Sequence, residues 1–391
     1  MEAHNKRLSD FEDLLNADVI DYTELSKKCF QGCPDVKGMR SLSWKLMLYY
    51  LPQKKTEWDD ALNKQRRAYK SFIEEMIIKP GSEVKMEDSV SDHPLNPNPD
   101  SQWSQYFKDN EMLLQIDKDC RRLYPDLVFF QSATEYPCLR LTQSVNGLEN
   151  LRKRVENTFL ESHTVSRDRH GITKMHCTRR RGNSSNEFHT LGEGEEAHWE
   201  VVERMLFIYA KLNPGIQYVQ GMNEILGPLY YTMATDPNKE WAKHAEADSF
   251  YCFTNLMAEI RDNFIKSLDD SLCGIGGNMH AVMRSLQNYE PRLHQRLMNQ
   301  SIKPEFFAFR WITLLLSQEF QLPDVLRIWD ALFSDKHRFR FLVDICCSMI
   351  ILVRKDILQN DFAGNMKLLQ NYPPTADIES IITTAAQLRQ Q

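Results

Sequence analysis

Two short segments of this 391-residue chain place polar side chains beside apolar ones at spacings that could serve a functional site. In the first segment, Asp119 precedes Arg122 by three residues, a spacing at which two side chains pair on one face of a helix. In the second, Gln220 precedes Gly221, whose missing side chain lets another backbone approach closely. An arginine oriented by a carboxylate and an amide at such a glycine could both contact a partner molecule.

The first segment reads as an amphipathic helix. At 3.6 residues per turn, Ile116 and Cys120 share a buried face, Asp119 lies about 60° from Ile116, and Arg122 lies about 120° from it on the same side. Arg122 is therefore expected at the edge of the apolar face, pointing outward. The plainer alternative is a surface ion pair that contributes only a few tenths of a kcal/mol.

The second segment follows a strong helix stop at residues 213–215, which read Asn-Pro-Gly. Tyr218 and Gln220 therefore stand at the beginning of a new element. The plainer alternative is a helix N-terminus with a polar cap. A third segment, with Arg40 and Trp44, adds a basic residue and an aromatic one at a spacing of four.

Together the three segments resemble the TBC domain, the catalytic domain of Rab GTPase-activating proteins. That family shows R-x-x-x-W, I-x-x-D-x-x-R and Y-x-Q-G-M in this order. The matching residues here are Arg40, Trp44, Ile116, Asp119, Arg122, Tyr218, Gln220, Gly221 and Met222. The resemblance covers roughly residues 29–333 and implies an all-α, two-lobed helical domain with long inserted loops.

The resemblance also implies a mechanism. Arg122 would be supplied in trans to neutralise charge on the transferred phosphoryl group, and Gln220 would position the attacking water. Asp119 would orient Arg122. The supporting residues that would shape the glutamine turn and touch the Rab are Tyr218, Gly221, Met222 and Asn223. Arg40 is either a second polar contact at the site or an internal strut for the Asp119 region.

The implied partner is a GTP-bound Rab-family small GTPase, and the implied process is vesicle trafficking. The chain itself would need no cofactor and no metal, since GTP and Mg²⁺ belong to the Rab. It would be cytoplasmic and only transiently at Rab-bearing membranes, as a peripheral protein. The alternative is a non-catalytic TBC adaptor that binds a Rab or another partner; no feature fixes an oligomeric state.

Helical periodicity supports the all-α expectation independently. Apolar residues recur at spacings of three and four, with no sustained alternation of period two. The stripes are Trp199, Val202, Leu206 and Tyr209 in one segment and Val325, Ile328, Trp329 and Leu332 in another.

The chain is expected to divide into an N-terminal helical flank (1–28), a TBC domain (29–335) and C-terminal helices that pack on the domain (336–391). Within the domain, residues 79–103 are rich in Pro, Asn and Asp and predict an extended loop. Residues 163–196 are highly charged and poor in apolar side chains, which predicts disorder.

Composition and the absence of common motifs argue against several other classes of function. The net charge of −6 argues against a nucleic-acid-binding protein. The nine cysteines include no C-x-x-C pair, which favours reduced thiols over a zinc site. The chain lacks a P-loop, a kinase loop set and the common hydrolase motifs. Its N-terminus has no apolar signal core, and its longest apolar stretches are too short to span a membrane.

Overall fold

The computed structural model describes residues 2–77, 102–142, 150–158, 191–192, 194–265, 274–373 and 377–389. Within these ranges the regular elements are helices, and β-type pairing is limited to two isolated bridges. These bridges join Val19 to Lys54 and Ala133 to Ala197. The all-α fold that the periodicity predicts is therefore confirmed.

The helices are numbered here in chain order. They are α1 (Glu2–Asn16), α2 (Tyr22–Phe30), α3 (Met39–Met47), α4 (Trp58–Met76), α5 (Gln102–Arg121), α6 (Val128–Gln131), α7 (Leu139–Thr142), α8 (151–158), α9 (His198–Leu212), α10 (Met222–Ala234), α11 (Lys239–Ala242), α12 (Ala245–Ile260), α13 (Ile275–Tyr289), α14 (Pro291–Asn299), α15 (Ala308–Thr313), α16 (Leu322–Ser334), α17 (Arg338–Leu352), α18 (Arg354–Gln359), α19 (Phe362–Gln370) and α20 (Ile378–Leu388). Several begin where a side chain accepts the first free amides, as Asp21 does for α2 and Asp377 for α20.

The chain forms two compact units. The first contains residues 1–66 and 224–391, and the second contains residues 67–223. The divisions fall within α4 and α10, so each of these helices contributes residues to both units. Of the predicted domain boundaries, residue 28 lies inside α2, and residue 335 follows α16 directly. Both flanking segments belong to the first unit.

The core of the first unit is built around α17, which packs against α13, α16 and α20. Three fully buried tryptophans, Trp44, Trp311 and Trp329, supply much of its volume. The ring of Trp44 meets that of Phe333 edge to face, with centroids 5.2 Å apart. The predicted stripe Val325, Ile328, Trp329 and Leu332 is fully buried, which confirms that α16 presents this face to the core.

The second unit is centred on α5 packed against α9. Leu113, Ile116 and Cys120 on α5 are buried, as their spacing predicts. All residues of α9 from Trp199 to Ala210 are buried, including its charged ones. The charged side chains of Glu200, Glu203 and Arg204 on this helix are therefore removed from water.

A buried carboxylate, Asp330 on α16, organises the polar contacts of the first unit. Its oxygens accept hydrogen bonds from the Cys33 backbone amide (2.8 Å) and the Trp44 indole (2.8 Å), and from Arg40 Nε (3.2 Å). Arg40 also donates to the Cys33 carbonyl (3.0 Å) and pairs with the exposed Asp35 (2.9 Å). Burial raises the pKa of Asp330, and Arg40 opposes that shift. These contacts join residues almost 300 positions apart in sequence.

The two predicted loops lie mostly outside the described residues, namely 79–101 of the first and 163–190 of the second. At their C-terminal ends the structure differs from the expectation. Helix α5 already begins at Gln102, within the predicted extended loop. Glu196, the last residue of the predicted disordered segment, is buried and pairs with the buried Arg204, with Nη2 and Oε2 3.2 Å apart. A charge that the sequence places in solvent is thus neutralised inside the second unit.

The apolar stretch that includes Phe341 forms α17, which is 15 residues long. In the described part of the chain, none of the helices has both the length and the apolar character needed to cross a bilayer. The cysteines in the same part are free thiols, most of them buried.

We expect Asp330→Ala to lower the free energy of unfolding by about 3 kcal/mol or more, because it leaves a buried arginine and two buried donors without their acceptor. Asp35→Ala is the matched control. It removes the other carboxylate that pairs with Arg40, but that side chain is 85% exposed. We expect the control to cost less than about 1 kcal/mol. Chemical denaturation of both variants measures the difference, and equal losses would contradict a central role for Asp330.

Candidate functional site

The C-terminal end of α5 presents Arg122. Helix α5 ends at Arg121, and the following residues form a turn in which Tyr124 has a positive φ of 43°. Cys120 and Leu123 on either side are fully buried and fix the backbone. The Arg122 side chain nevertheless remains 63% exposed. The expected position at the edge of the apolar face is therefore the observed one.

Asp119 is the centre of this site. Its side chain is buried and pairs with Arg122 through one carboxylate oxygen. The other oxygen accepts a hydrogen bond from the Tyr218 hydroxyl (2.8 Å). The Asp119 backbone carbonyl accepts a further bond from the Asn223 amide (3.2 Å). One residue of α5 therefore holds both the arginine and the loop that carries Gln220.

The Gln220 loop connects α9 to α10. It contains two residues with positive φ, Gln217 at 59° and Gly221 at 102°. The value at Gly221 is one that side-chain-bearing residues rarely adopt, so the turn beside Gln220 requires glycine. Gln220 is exposed, and its side chain forms no hydrogen bond with any described residue. The amide is thus displayed on the surface with its donors and acceptor unused by the described protein.

The neighbours of Gln220 are buried. Met222 is fully buried, and Tyr218 and Asn223 are nearly so. The Tyr218 hydroxyl also lies 3.3 Å from the Asn223 side-chain oxygen. Tyr218, Met222 and Asn223 therefore pack inward beside the turn that carries Gln220. A contact of these residues with the Rab stays a prediction.

Arg40 acts as an internal strut. Its guanidinium is occupied by Asp330, by Asp35 and by the carbonyl of Cys33. Its side chain is largely buried, and desolvation opposes the carboxylates that raise its pKa. The sequence left open a site contact or a strut for the Asp119 region. In the structure the carboxylates that Arg40 binds are those of Asp330 and Asp35. Trp44 lies in the core of the same unit.

A layer of charged residues under α5 was missed by the sequence analysis. Arg121 forms an ion pair with Asp117 (2.9 Å) and lies over the ring of Trp199, 4.6 Å from its centroid. Beside them Glu203 of α9 is fully buried, and neither of its carboxylate oxygens has a hydrogen-bond partner among the described residues. Burial raises the pKa of Glu203 well above its usual range, and the nearby charge of Asp117 adds to the shift.

Burial and the like charge of Asp117 both disfavour the ionised form of Glu203. The available signal was the presence of charged residues, Glu203 among them, within a largely apolar helical run on α9. Among the described residues, no cluster of three His, Cys, Asp or Glu side chains could hold a metal ion.

A sequence model described as the Rab-GTPase-TBC domain matches residues 178–358. The match includes Gln220 and begins after Arg122, so it bears on only one of the two exposed side chains.

Whole-length relatives cover the remainder of the chain. TBC1 domain family member 13 of Mus musculus is 58% identical, over 99% of this chain and 98% of that protein. Its Homo sapiens counterpart is 57% identical over the same shares. A TBC domain-containing protein of Schizosaccharomyces pombe is 38% identical, over 94% of this chain and 70% of that protein.

The fold also has a counterpart among solved structures. The crystal structure of the Ypt/Rab-GAP domain of Gyp1p aligns with a TM-score of 0.67, covering 98% of this chain and 97% of that one. At 21% sequence identity this likeness concerns the fold alone. The identities above 50% along nearly the full chain decide the relationship: the chain belongs to the Rab-GTPase-TBC domain family.

Proposed function

We propose that this chain is a GTPase-activating protein for a GTP-bound Rab small GTPase, and that it inserts Arg122 and Gln220 beside the nucleotide. Family membership supports a Rab-directed activity in general. The observation that carries the finer proposal is the buried Asp119, which binds the Arg122 side chain and also Tyr218, two residues before Gln220. Two exposed groups suited to phosphate chemistry are thereby positioned by one residue.

The chemistry of Arg122 fits a developing phosphoryl charge. Its guanidinium is permanently charged and planar, with five N–H donors. Asp119 engages one terminal nitrogen, which leaves the other donors available for phosphoryl oxygens. An arginine supplied in trans increases the rate of GTP hydrolysis by about 10³–10⁵. Its orientation by Asp119 reduces the side-chain entropy that must be lost on insertion.

The chemistry of Gln220 fits the attacking water. A neutral amide offers both donors and an acceptor, so it can hold a water in line with the phosphorus without adding charge. The glycine that follows allows the loop to approach another backbone closely. In this proposal GTP and Mg²⁺ belong to the Rab and the chain contributes no cofactor. The process served is vesicle trafficking, by a cytoplasmic protein that visits Rab-bearing membranes through its partner.

We expect Arg122→Ala to lower the saturating rate of Rab GTP hydrolysis by about 10³-fold. Arg122→Lys should recover little, because an ammonium group cannot reproduce the planar fork. The measurement is single-turnover phosphate release from a panel of GTP-loaded Rabs. Arg261→Ala is the matched control, since that side chain is 62% exposed in the first unit, and it should behave as the parent does.

The outcome that would overturn the catalytic proposal is well defined. If folded parent protein binds a GTP-loaded Rab but accelerates hydrolysis by none of the panel, the chain acts as an adaptor. If acceleration occurs and Arg122→Ala preserves it, the arginine assignment is wrong while the general activity stands.

We expect Gln220→Ala to reduce the saturating rate by at least about tenfold, because the water loses a directing group, and Gln220→Glu to do no better, because it places a negative charge near phosphate. The fold should be unaffected, since Gln220 is exposed. Gln295→Ala on α14, another exposed glutamine, serves as the control. Parent-like rates for both Gln220 variants would exclude this residue from the chemistry.

We expect Tyr218→Phe to reduce the saturating rate by about tenfold, since the hydroxyl that links the Gln220 loop to Asp119 is removed. Tyr50→Phe is the matched control, because its buried hydroxyl donates to Asp248 at 2.7 Å in the first unit. Both variants should lose similar stability in denaturation. Only Tyr218→Phe should change the rate at saturating protein, and a rate loss common to both would indicate a purely structural effect.

A further inference from the structure

Helix α6 carries an unusually exposed apolar side chain close to Arg122. Val128, its first residue, is 80% exposed and follows Arg122 by only six positions. Among the large apolar side chains that the described residues expose, it has the highest exposed fraction. Exposed single apolar residues are common and need no explanation by themselves. Val128 is of interest because it lies close to Arg122.

The position of α6 is fixed by contacts with the end of α5. The Gln131 side chain donates to the Arg121 carbonyl at 3.1 Å, which brings the far end of α6 back to the residue before Arg122. Phe130 is fully buried and stacks on Tyr124, with ring centroids 5.7 Å apart. The Leu127 amide donates to the Tyr124 carbonyl at 2.9 Å and closes the turn. Arg122 and Val128 therefore belong to one compact corner.

The side of α6 next to Val128 is also held in place. The ring of Phe129 stacks on that of His198 at the start of α9, with centroids 4.0 Å apart. Burial lowers the pKa of His198 to about 4, so this imidazole is neutral near pH 7 and the stack carries no charge there. The Ser132 hydroxyl donates to the Phe129 carbonyl at 2.8 Å and caps the helix. Val128 is thus exposed on a helix whose neighbouring side chains are packed against the second unit.

We propose that Val128 is an apolar docking contact for the GTPase, which it touches on the protein surface bordering the nucleotide. This inference rests on the proposed function. The nucleotide of a GTPase lies in a cleft on the surface of that protein. If Arg122 enters this cleft, the corner that carries Arg122 and Val128 must contact the protein surface around the cleft. Val128 would then be covered by the Rab itself, through an apolar patch on the Rab surface beside the nucleotide.

This contact would have a different kinetic role from that of Arg122. Burying an apolar side chain contributes equally to the bound ground state and to the transition state, which changes the affinity and not the rate at saturation. Full burial of a valine corresponds to about tenfold in affinity. Val128 is accordingly a specificity-determining contact, because only a GTPase with an apolar surface at that place gains from it.

The test compares the parent chain with Val128→Lys and Val128→Ile. Val19→Lys is the matched control, since Val19 is 57% exposed in the first unit. Two quantities are measured for each: the affinity for Rabs loaded with a slowly hydrolysed GTP analogue, and the concentration dependence of single-turnover GTP hydrolysis. We expect Val128→Lys to weaken binding and raise the half-saturating concentration by about tenfold or more, with an unchanged saturating rate. Val128→Ile and Val19→Lys should match the parent.

Each outcome decides between the two proposals. Parent-like affinity of Val128→Lys for a Rab that the parent stimulates would overturn the docking contact and leave the proposed function intact. A fall in the saturating rate without a change in affinity would also overturn it, since the residue would then act on positioning. Binding of no Rab by the parent chain would overturn both proposals together.

Discussion

The geometry of the candidate site depends on one buried carboxylate. Asp119 lies inside the second unit, and a charge there is tolerated only where donors surround it. Two of those donors, from Arg122 and Tyr218, come from separate elements, so satisfying the carboxylate also sets the geometry of the site. The arginine is oriented and the Gln220 loop is anchored by the same contacts that make the interior stable.

Buried carboxylates also join separate elements in the first unit. Asp330 joins α16 to α3 through Arg40 and Trp44, and Asp248 accepts hydrogen bonds from Tyr50 (2.7 Å) and Arg66 (2.9 Å). In these clusters the donors are themselves largely buried, so the carboxylates fix helix positions. Asp119 differs because Arg122 remains mostly exposed, and its orientation is therefore available to a partner.

In the second unit, residues that lie beneath the candidate site are not part of the three sequence motifs. Arg121 of α5 pairs with Asp117 and lies over the ring of Trp199 on α9, close to the buried Glu203. Burial and the nearby charge of Asp117 both raise the pKa of Glu203. The surface groups that would meet a GTPase thus lie above an interior in which Arg121 and Asp117 form an ion pair.

Local pattern was sufficient for the helices and for the order of the motifs. Stripes such as Ile116 and Cys120 are determined by the helical repeat, and the Gly221 turn follows from the conformational freedom of glycine. Partners distant in sequence were decided only by the tertiary structure. Arg40 binds a carboxylate 290 positions away, and Tyr218 donates to Asp119 across 99 positions. Sequence periodicity specifies which face a helix buries. It does not specify which residue from another part of the chain pairs with a charged side chain on that face, because that pairing depends on how the whole unit packs.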